Sequence, residues 1–289
     1  MRTLLKRNIK LYFRDKINLL LSLLAIFIII ILYAAFLGNV WGTEITWALP
    51  DTEADVLKYS WLTAGILAVA TATTAMGAFS VVVNDRVKKI HQGFYASPVS
   101  RRSITSGYVL SAFIIGVMIS LVAFALLSIF IIFIVGGEPL APLGYLHAVG
   151  IILLSSLTNT AMVCFIVSFL KSHGAFTTAS TILGTLIGFL MGIYLPIGAL
   201  PETVQTVIKI FPSSHAAVLL RQILMDEPMQ LSFADIPPEQ LESFQEMMGI
   251  TYQFGDHEIS SLVSIIILLG SALVFYGLSL LNMRRMRKR

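Results

Sequence analysis

The side chains best placed to do chemistry lie in one short polar stretch, NDRVKKIHQGFYASPVSRRSITSGY, running from residue 84 to residue 108. There Asp85, Arg86, Lys88 and Lys89 stand beside Ile90, Phe94 and Tyr95, apolar groups with no lipid to hide in. Charge set against unshielded apolar surface is the composition of a protein-docking patch, although a solvated basic loop is the plainer alternative. Proline disfavours the α conformation in the residue before it, so Ser97-Pro98 breaks the chain before a restart at Ser100 to Ser103. The expected form is a short helix, a break and a return.

Catalytic chemistry finds little support elsewhere. The single cysteine, Cys164, lies in an apolar run and leaves neither a disulfide nor a C-x-x-C pair. His91, His147, His173, His215 and His257 show no metal-ligand spacing, so no metal site is expected. No G-x-x-x-x-G-K-[ST] phosphate loop occurs, nor any Gly-Lys pair, so this polypeptide is not itself a nucleotide hydrolase of that kind.

The elements that must position the polar stretch follow from composition. Of 289 residues, 56% are hydrophobic and 12% charged. A water-soluble chain of this length has no core large enough to hide so much apolar sequence. Apolar runs at 17–37, 60–83, roughly 105–135, 148–170, 175–195 and 259–281 read as six membrane-spanning helices, since about 20 residues cross the hydrocarbon core. The third run would be ~46 Å long and must tilt or protrude.

Charge sorts these spans. With both termini on one side, segments 1–16, 84–104, 171–174 and 282–289 hold every Lys and Arg except Lys58, Lys209 and Arg221. Of the 16 carboxylates, only Asp15 and Asp85 share those segments. A Lys/Arg excess marks the cytoplasmic side, so both termini are expected in the cytosol of a multi-pass protein of the bacterial cell membrane. The net charge of +4 is thus divided by membrane side, which argues against nucleic acid as a partner. Met1 to Lys16 alternates leucines and aromatics with Lys and Arg, as an interfacial helix resting on membrane lipid would. No ionisable group falls near the middle of a span, which removes the usual signature of proton coupling and of an intramembrane protease.

With Asp85, Gly93, Ser97, Pro98, Ser100 and Arg101 in this order, the polar stretch resembles the cytosolic loop of ABC transporter permease subunits of the type-2 exporter family. A second match lies in YLPIGALPETVQTVIKIFPSSHAAVLLRQIL, residues 194–224, similar to the family's LP…LP…NP…HA…LR segment, with Phe211-Pro212 where Asn-Pro is common. The resemblance implies that Asp85, Arg86, Lys88, Lys89, Ile90, Gly93, Phe94 and Tyr95 form a coupling helix docking on a separate cytosolic ABC ATPase. ATP and magnesium would belong to that partner, with no cofactor in this chain. It also implies a second permease copy, in a homodimer or pseudo-dimer.

Pro196 to Arg221 is too short and too broken by proline to span, and reads as two short helices dipping into the outer leaflet, with Pro201 in the first turn and Ser213 or Ser214 as a cap. The family places its outer gate here, which would involve Pro196, Pro201, Pro212, His215 and Arg221. Snorkelling or capping is the plainer role for the last two. The acidic stretch 226–258 reads as an amphipathic helix around Glu239 to Met248, lying over the gate or on the other subunit, or else as a solvated loop. Gly184, Gly188 and Gly192 form a G-x-x-x-G row suited to close helix packing. Hydroxyls abound in spans two, four and five; most should bond helix to helix, and Thr74 and Asn159 are singled out as candidate walls of a substrate path.

The expectation is an all-α, six-span permease domain over 1–289, comprising an interfacial helix (1–16), a coupling loop (84–104) and an extracytoplasmic re-entrant and acidic segment (196–258). It would export a hydrophobic or amphiphilic compound, a drug, antibiotic, toxin or lipid-like molecule. A non-transporting membrane sensor or immunity protein is the alternative.

Overall fold

The computed structural model describes residues 2–16, 31, 51–95, 100–234, 237–255 and 257–285. The expected first span, 17–37, falls outside the described residues apart from residue 31, as do Ser97 and Pro98. The described chain is almost wholly helical: α1 (Arg2–Arg14), α2 (Asp51–Val87), α3 (Ile90–Tyr95), α4 (Arg101–Phe130), α5 (Pro142–Phe169) and α6 (His173–Leu190). There follow α7 (Glu202–Ile210), α8 (Ser214–Ser232), α9 (Pro238–Met248) and α10 (Ser261–Arg285). Among the described residues the one departure from helix and loop is an antiparallel pair of two-residue strands, β1 (Gln253–Phe254) and β2 (His257–Glu258).

Local chemistry explains the ends. Lys89 adopts φ 58°, and this left-handed residue turns the chain from α2 into α3. Ser100 caps α4, its Oγ accepting from the Ser103 N–H at 3.3 Å, and Ser172 caps α6 through the Ala175 N–H at 3.1 Å. Proline opens α5 and α9, where its missing N–H costs nothing. Beyond Phe130, α4 passes into a single π turn, Ile131–Val135, stopped by Gly136 at φ 90°. Five described helices are long and apolar enough to cross a membrane: α2, α4 with its π turn, α5, α6 and α10. The chain is a multi-pass, helical membrane protein.

Helix α2 is the axis of the bundle. Its most apolar window is 78% buried, against 17% for α6 and α10, and it packs on α4, α5, α6 and α8. Ala64, Gly65, Ala68, Ala72 and Ala75 let neighbours approach it closely. Lipid is as apolar as leucine, so packing and hydrogen bonds must hold such helices together. Accordingly α5 and α10 are joined by the Thr158 hydroxyl to the Leu268 carbonyl at 3.0 Å, and by the Asn282 amide to the Ser168 hydroxyl at 2.7 Å. Phe133 and Leu273 point outward, 79% and 74% exposed, as lipid-facing side chains should.

Two segments differ from expectation. Helix α8 continues from Ser214 well past Arg221, through Pro228, so the segment expected at the outer leaflet is one short and one long helix rather than two short ones. Helix α1 forms where expected, but Leu4, Ile9, Tyr12 and Phe13 pack into a protein cluster with α2 and α4. Of its apolar side chains, Leu11 is left exposed.

Candidate functional site

At the basic end of the bundle, α1 rests directly on α4 and α2. A Cβ on Gly107 would lie 2.9 Å from Leu4, and one on Gly77 would lie 3.7 Å from the Tyr12 ring. The closeness brings polar groups into register. Buried Asn8 donates to the Ser111 hydroxyl at 3.2 Å, which itself donates to the Tyr108 carbonyl at 2.8 Å. Arg7 grips Asp85 with both arms, Nη1 to Oδ2 at 2.7 Å and Nη2 to Oδ1 at 2.8 Å, while the Tyr108 hydroxyl donates to Oδ2 at 2.5 Å. The same guanidinium stacks 5.3 Å from the Phe94 ring centre. One carboxylate thus joins α1, α2 and α4, and its arginine reaches α3. Fork-on-fork pairing is the strongest common side-chain ion pair, and its hydrogen bonds push the Arg7 pKa further up despite partial burial.

This geometry corrects the expected docking set. Asp85 is 3% exposed and turned inward, because a carboxylate at that depth needs the donors that α1 and α4 supply. Arg86 also turns in, donating to the Val167 and Leu170 carbonyls at 3.1 and 3.3 Å at the end of α5. Phe94 is half-buried under Arg7. The Tyr95 side chain lies outside the described residues. Lys88, Lys89, Ile90 and Gly93 do face outward, with Val87 49% exposed beside them. Sequence reasoning missed Arg7, Asn8, Tyr108 and Ser111 as partners. One signal was available: Leu4, Asn8 and Tyr12 share a helical face, and an Asn in an apolar stripe demands a polar neighbour.

Between α2 and α6 lies a cleft of about 550 Å³. Thr73, Ser80 and Asn84 of α2 face Thr177, Ser180 and Gly184 of α6 across it, with Met76, Phe176 and Leu183 as apolar wall. Asp15, Ser80 and Asn84 also line a smaller cavity of about 240 Å³ against Arg7 and Asp85, so the cleft runs up to the α1 joint. The two residues singled out for the path lie elsewhere. Asn159 is fully buried: its amide donates to Thr71 and Ser155 at 2.9 and 3.3 Å, and its carbonyl accepts from Ser213 at 2.7 Å. That network ties α5 to α2 and to the turn before α8, so Asn159 bonds helices together. Thr74 is 3% exposed and belongs to no described cavity, since it lies about 100° around α2 from Thr73.

The acidic end is closed by a cap of α7, α8 and α9. Arg221, wholly buried, donates to the carbonyls of Gly249 at 3.1 Å and of Met191 and Gly192 at 2.9 Å each. It lies 4.7 Å over Trp61, whose Nε1 donates to the Met248 carbonyl at 2.7 Å. His215 is equally buried. Its Nε2 faces the Lys209 carbonyl at 3.0 Å and must donate, so its Nδ1 accepts from Ser264 at 3.0 Å. Burial pushes its pKa down and keeps it neutral. Neither side chain snorkels: both are internal fasteners. Pro196 precedes a 3₁₀ turn, Ile197–Ala199, Pro201 takes the cap position of α7 rather than its first turn, and Pro212 shapes the turn into α8. Ser213 takes the cap position of α8 as expected, but its hydroxyl donates to Asn159 instead of capping the helix. The acidic helix α9 lies over this segment, with Phe244 and Met248 buried.

The glycine row also divides. Gly192, at φ 61°, ends α6; Gly188 gives room to the Tyr194 ring, 2.3 Å from where a Cβ would stand; Gly184 has open space toward the cleft. Within this chain the three do not form one helix-packing groove. Among the described residues no three His, Cys, Asp or Glu side chains converge as metal ligands would.

A family model described as ABC-2 family transporter protein matches residues 42–281. No curated protein matches the chain. The matched region takes in every described span, the α3 loop and the acidic cap, and the family implies association with an ABC ATPase. With its motifs in family order along a multi-pass helical bundle, the chain belongs to the ABC-2 family of transporter permeases.

Proposed function

We propose that this chain is the permease of an ATP-driven exporter that moves a hydrophobic or amphiphilic compound outward across the bacterial cell membrane. Two copies would work with two cytosolic ATPase subunits, which bind the ATP and magnesium. The observation that carries the reading is the adjacency of three parts. The outward-facing turn into α3 presents Lys88, Lys89 and Ile90, the Arg7–Asp85 joint sits behind it, and the hydroxyl-lined cleft between α2 and α6 reaches that joint. A push on α3 would move Phe94 against Arg7, load the Asp85 carboxylate and shift α2 relative to α6. A cleft of hydroxyls and apolar side chains suits an amphiphile better than a bare ion.

The test is reconstitution with the ATPase that co-purifies with the chain, reading both stimulated ATP hydrolysis and substrate movement. Lys88→Glu with Ile90→Asp should lower stimulation about tenfold at unchanged melting temperature, the loss expected when a few interface anchors are reversed. Unchanged stimulation in that double variant would remove the docking reading. Failure of any ATPase to co-purify would favour a non-transporting membrane sensor.

A further inference from the structure

A cavity of about 150 Å³ lies at the acidic end, far along α2 from the cleft and the α1 joint. It is bounded by the start of α2, the π turn after α4, the start of α5 and the end of α8. Its walls are apolar, with Val56, Ile131, Leu140 and Leu224 among them. Three carboxylates border it, Glu53, Glu138 and Glu227, and among the described residues none has an ion-pair partner and no Lys or Arg lines the space. Glu53 has an ordinary explanation in the positive start of α2. Glu138 and Glu227 are exposed at its rim.

The second, independent observation is deeper in. Ser60 and Thr63, 3% and 2% exposed, line the cavity with hydroxyls that find no hydrogen-bond partner among the described residues. Buried hydroxyls are normally bonded, and a helical serine or threonine usually satisfies itself on the carbonyl a turn earlier, as Thr73 does on Val69 at 3.0 Å. Hydroxyls left open into a lined space are groups that await a donor or a polar tail. The π turn adds to this. Its last carbonyls are the negative end of α4, and its residues line the same cavity.

We propose that this cavity binds the ammonium end of an organic amine carrying a short apolar arm or ring. The glutamates would take the charge, Ser60 and Thr63 would accept N–H groups, and the apolar walls would enclose the arm. A space of this size holds about one aromatic ring, so it takes the end of a molecule rather than a whole drug. Such an amine could be free or could be the headgroup of phosphatidylethanolamine. The site is independent of the export reading, because neither the joint nor the cleft contributes to it.

The experiment titrates the purified full chain in nanodiscs with 4-fluorobenzylammonium, followed by ¹⁹F NMR, with 4-fluorobenzoate and 4-fluorobenzyl alcohol as charge controls. Saturable binding of the ammonium alone is expected. It should weaken at least tenfold in Glu138→Gln/Glu227→Gln and vanish in Ser128→Leu, which fills the cavity; the two glutamates are exposed, so their replacement should leave the melting temperature unchanged. Equal binding of the benzoate, or undiminished binding in both variants, would overturn the proposal. Competition in phosphatidylethanolamine but not phosphatidylglycerol nanodiscs would identify the headgroup, and equal affinity in both would identify free amines. Absence of saturable binding in either bilayer would overturn the proposal as well.

Discussion

Arg7 and Arg221 stand at opposite ends of the bundle and are held in different ways. The Arg7 side chain keeps 30% of its surface exposed and grips one carboxylate from a helix otherwise distant in sequence. Arg221 keeps none exposed, and three backbone carbonyls and the Trp61 face surround it. Water reaches the Arg7 side of the pair but not the Asp85 side, so opening it would leave a buried carboxylate served by Tyr108. The guanidinium inside the carbonyl cage meets no water, and opening the cage would orphan the carbonyls too. The contrast is between a joint that water reaches from one side and a cap closed to water on every side, the more rigid of the two.

The largest effect that could break this comparison is at the cap. Arg221→Met should cost at least about 3 kcal/mol, since several buried acceptors lose their donor. Thermal melts of detergent-purified protein should show early unfolding; a native-like melt would mean the cage is not what holds the cap. Next comes the joint. Asp85→Asn should cost about 2 kcal/mol by halving a charge-assisted pair, and limited proteolysis should then cut within the first 16 residues while the spans stay intact. A cycle with Arg7→Gln should show strong non-additivity, and simple addition of the two losses would deny the coupling.

A pH effect sharpens the rigid side. His215 is held neutral by burial, its folded pKa lying below the ordinary value of about 6.5. Below that pH the unfolded chain takes up a proton that the folded chain refuses, so stability is full above it and is lost as pH falls toward the folded pKa. The slope can reach roughly 1.4 kcal/mol per pH unit, and His215→Gln should flatten it. The smallest effect concerns the glycines: Gly184→Ala should leave the melting temperature unchanged, whereas Gly188→Ala should lower it by forcing Tyr194 aside. Equal effects at the two positions would restore a shared packing groove.

Five of the expected spans were legible because lipid imposes a length and a composition that no packing detail can override, and the α3 loop because Phe94 and Ile90 stand out among charges. Asp85 was misplaced for a physical reason. From composition alone a carboxylate in a basic loop looks exposed, and only the approach of α1, permitted by Gly107 and Gly77, supplies the donors that bury it. Asn159 was misassigned for a similar reason. Its choice between cavity wall and helix bond depended on Thr71, Ser155 and Ser213 all arriving from other segments.

What the amino-acid order determined by itself was partition: which stretches enter lipid, which loop stays polar, and how Lys and Arg divide from Asp and Glu. Those follow from transfer energies that each residue carries wherever the chain folds. Tertiary structure alone decided which polar groups meet. That Arg7 finds Asp85, that Arg221 finds three carbonyls, and that Thr73 rather than Thr74 faces the cleft depend on helix rotation and approach to within an ångström or so. Hydrogen bonds in lipid are strong only at short range and in the right direction, so no local pattern could specify them.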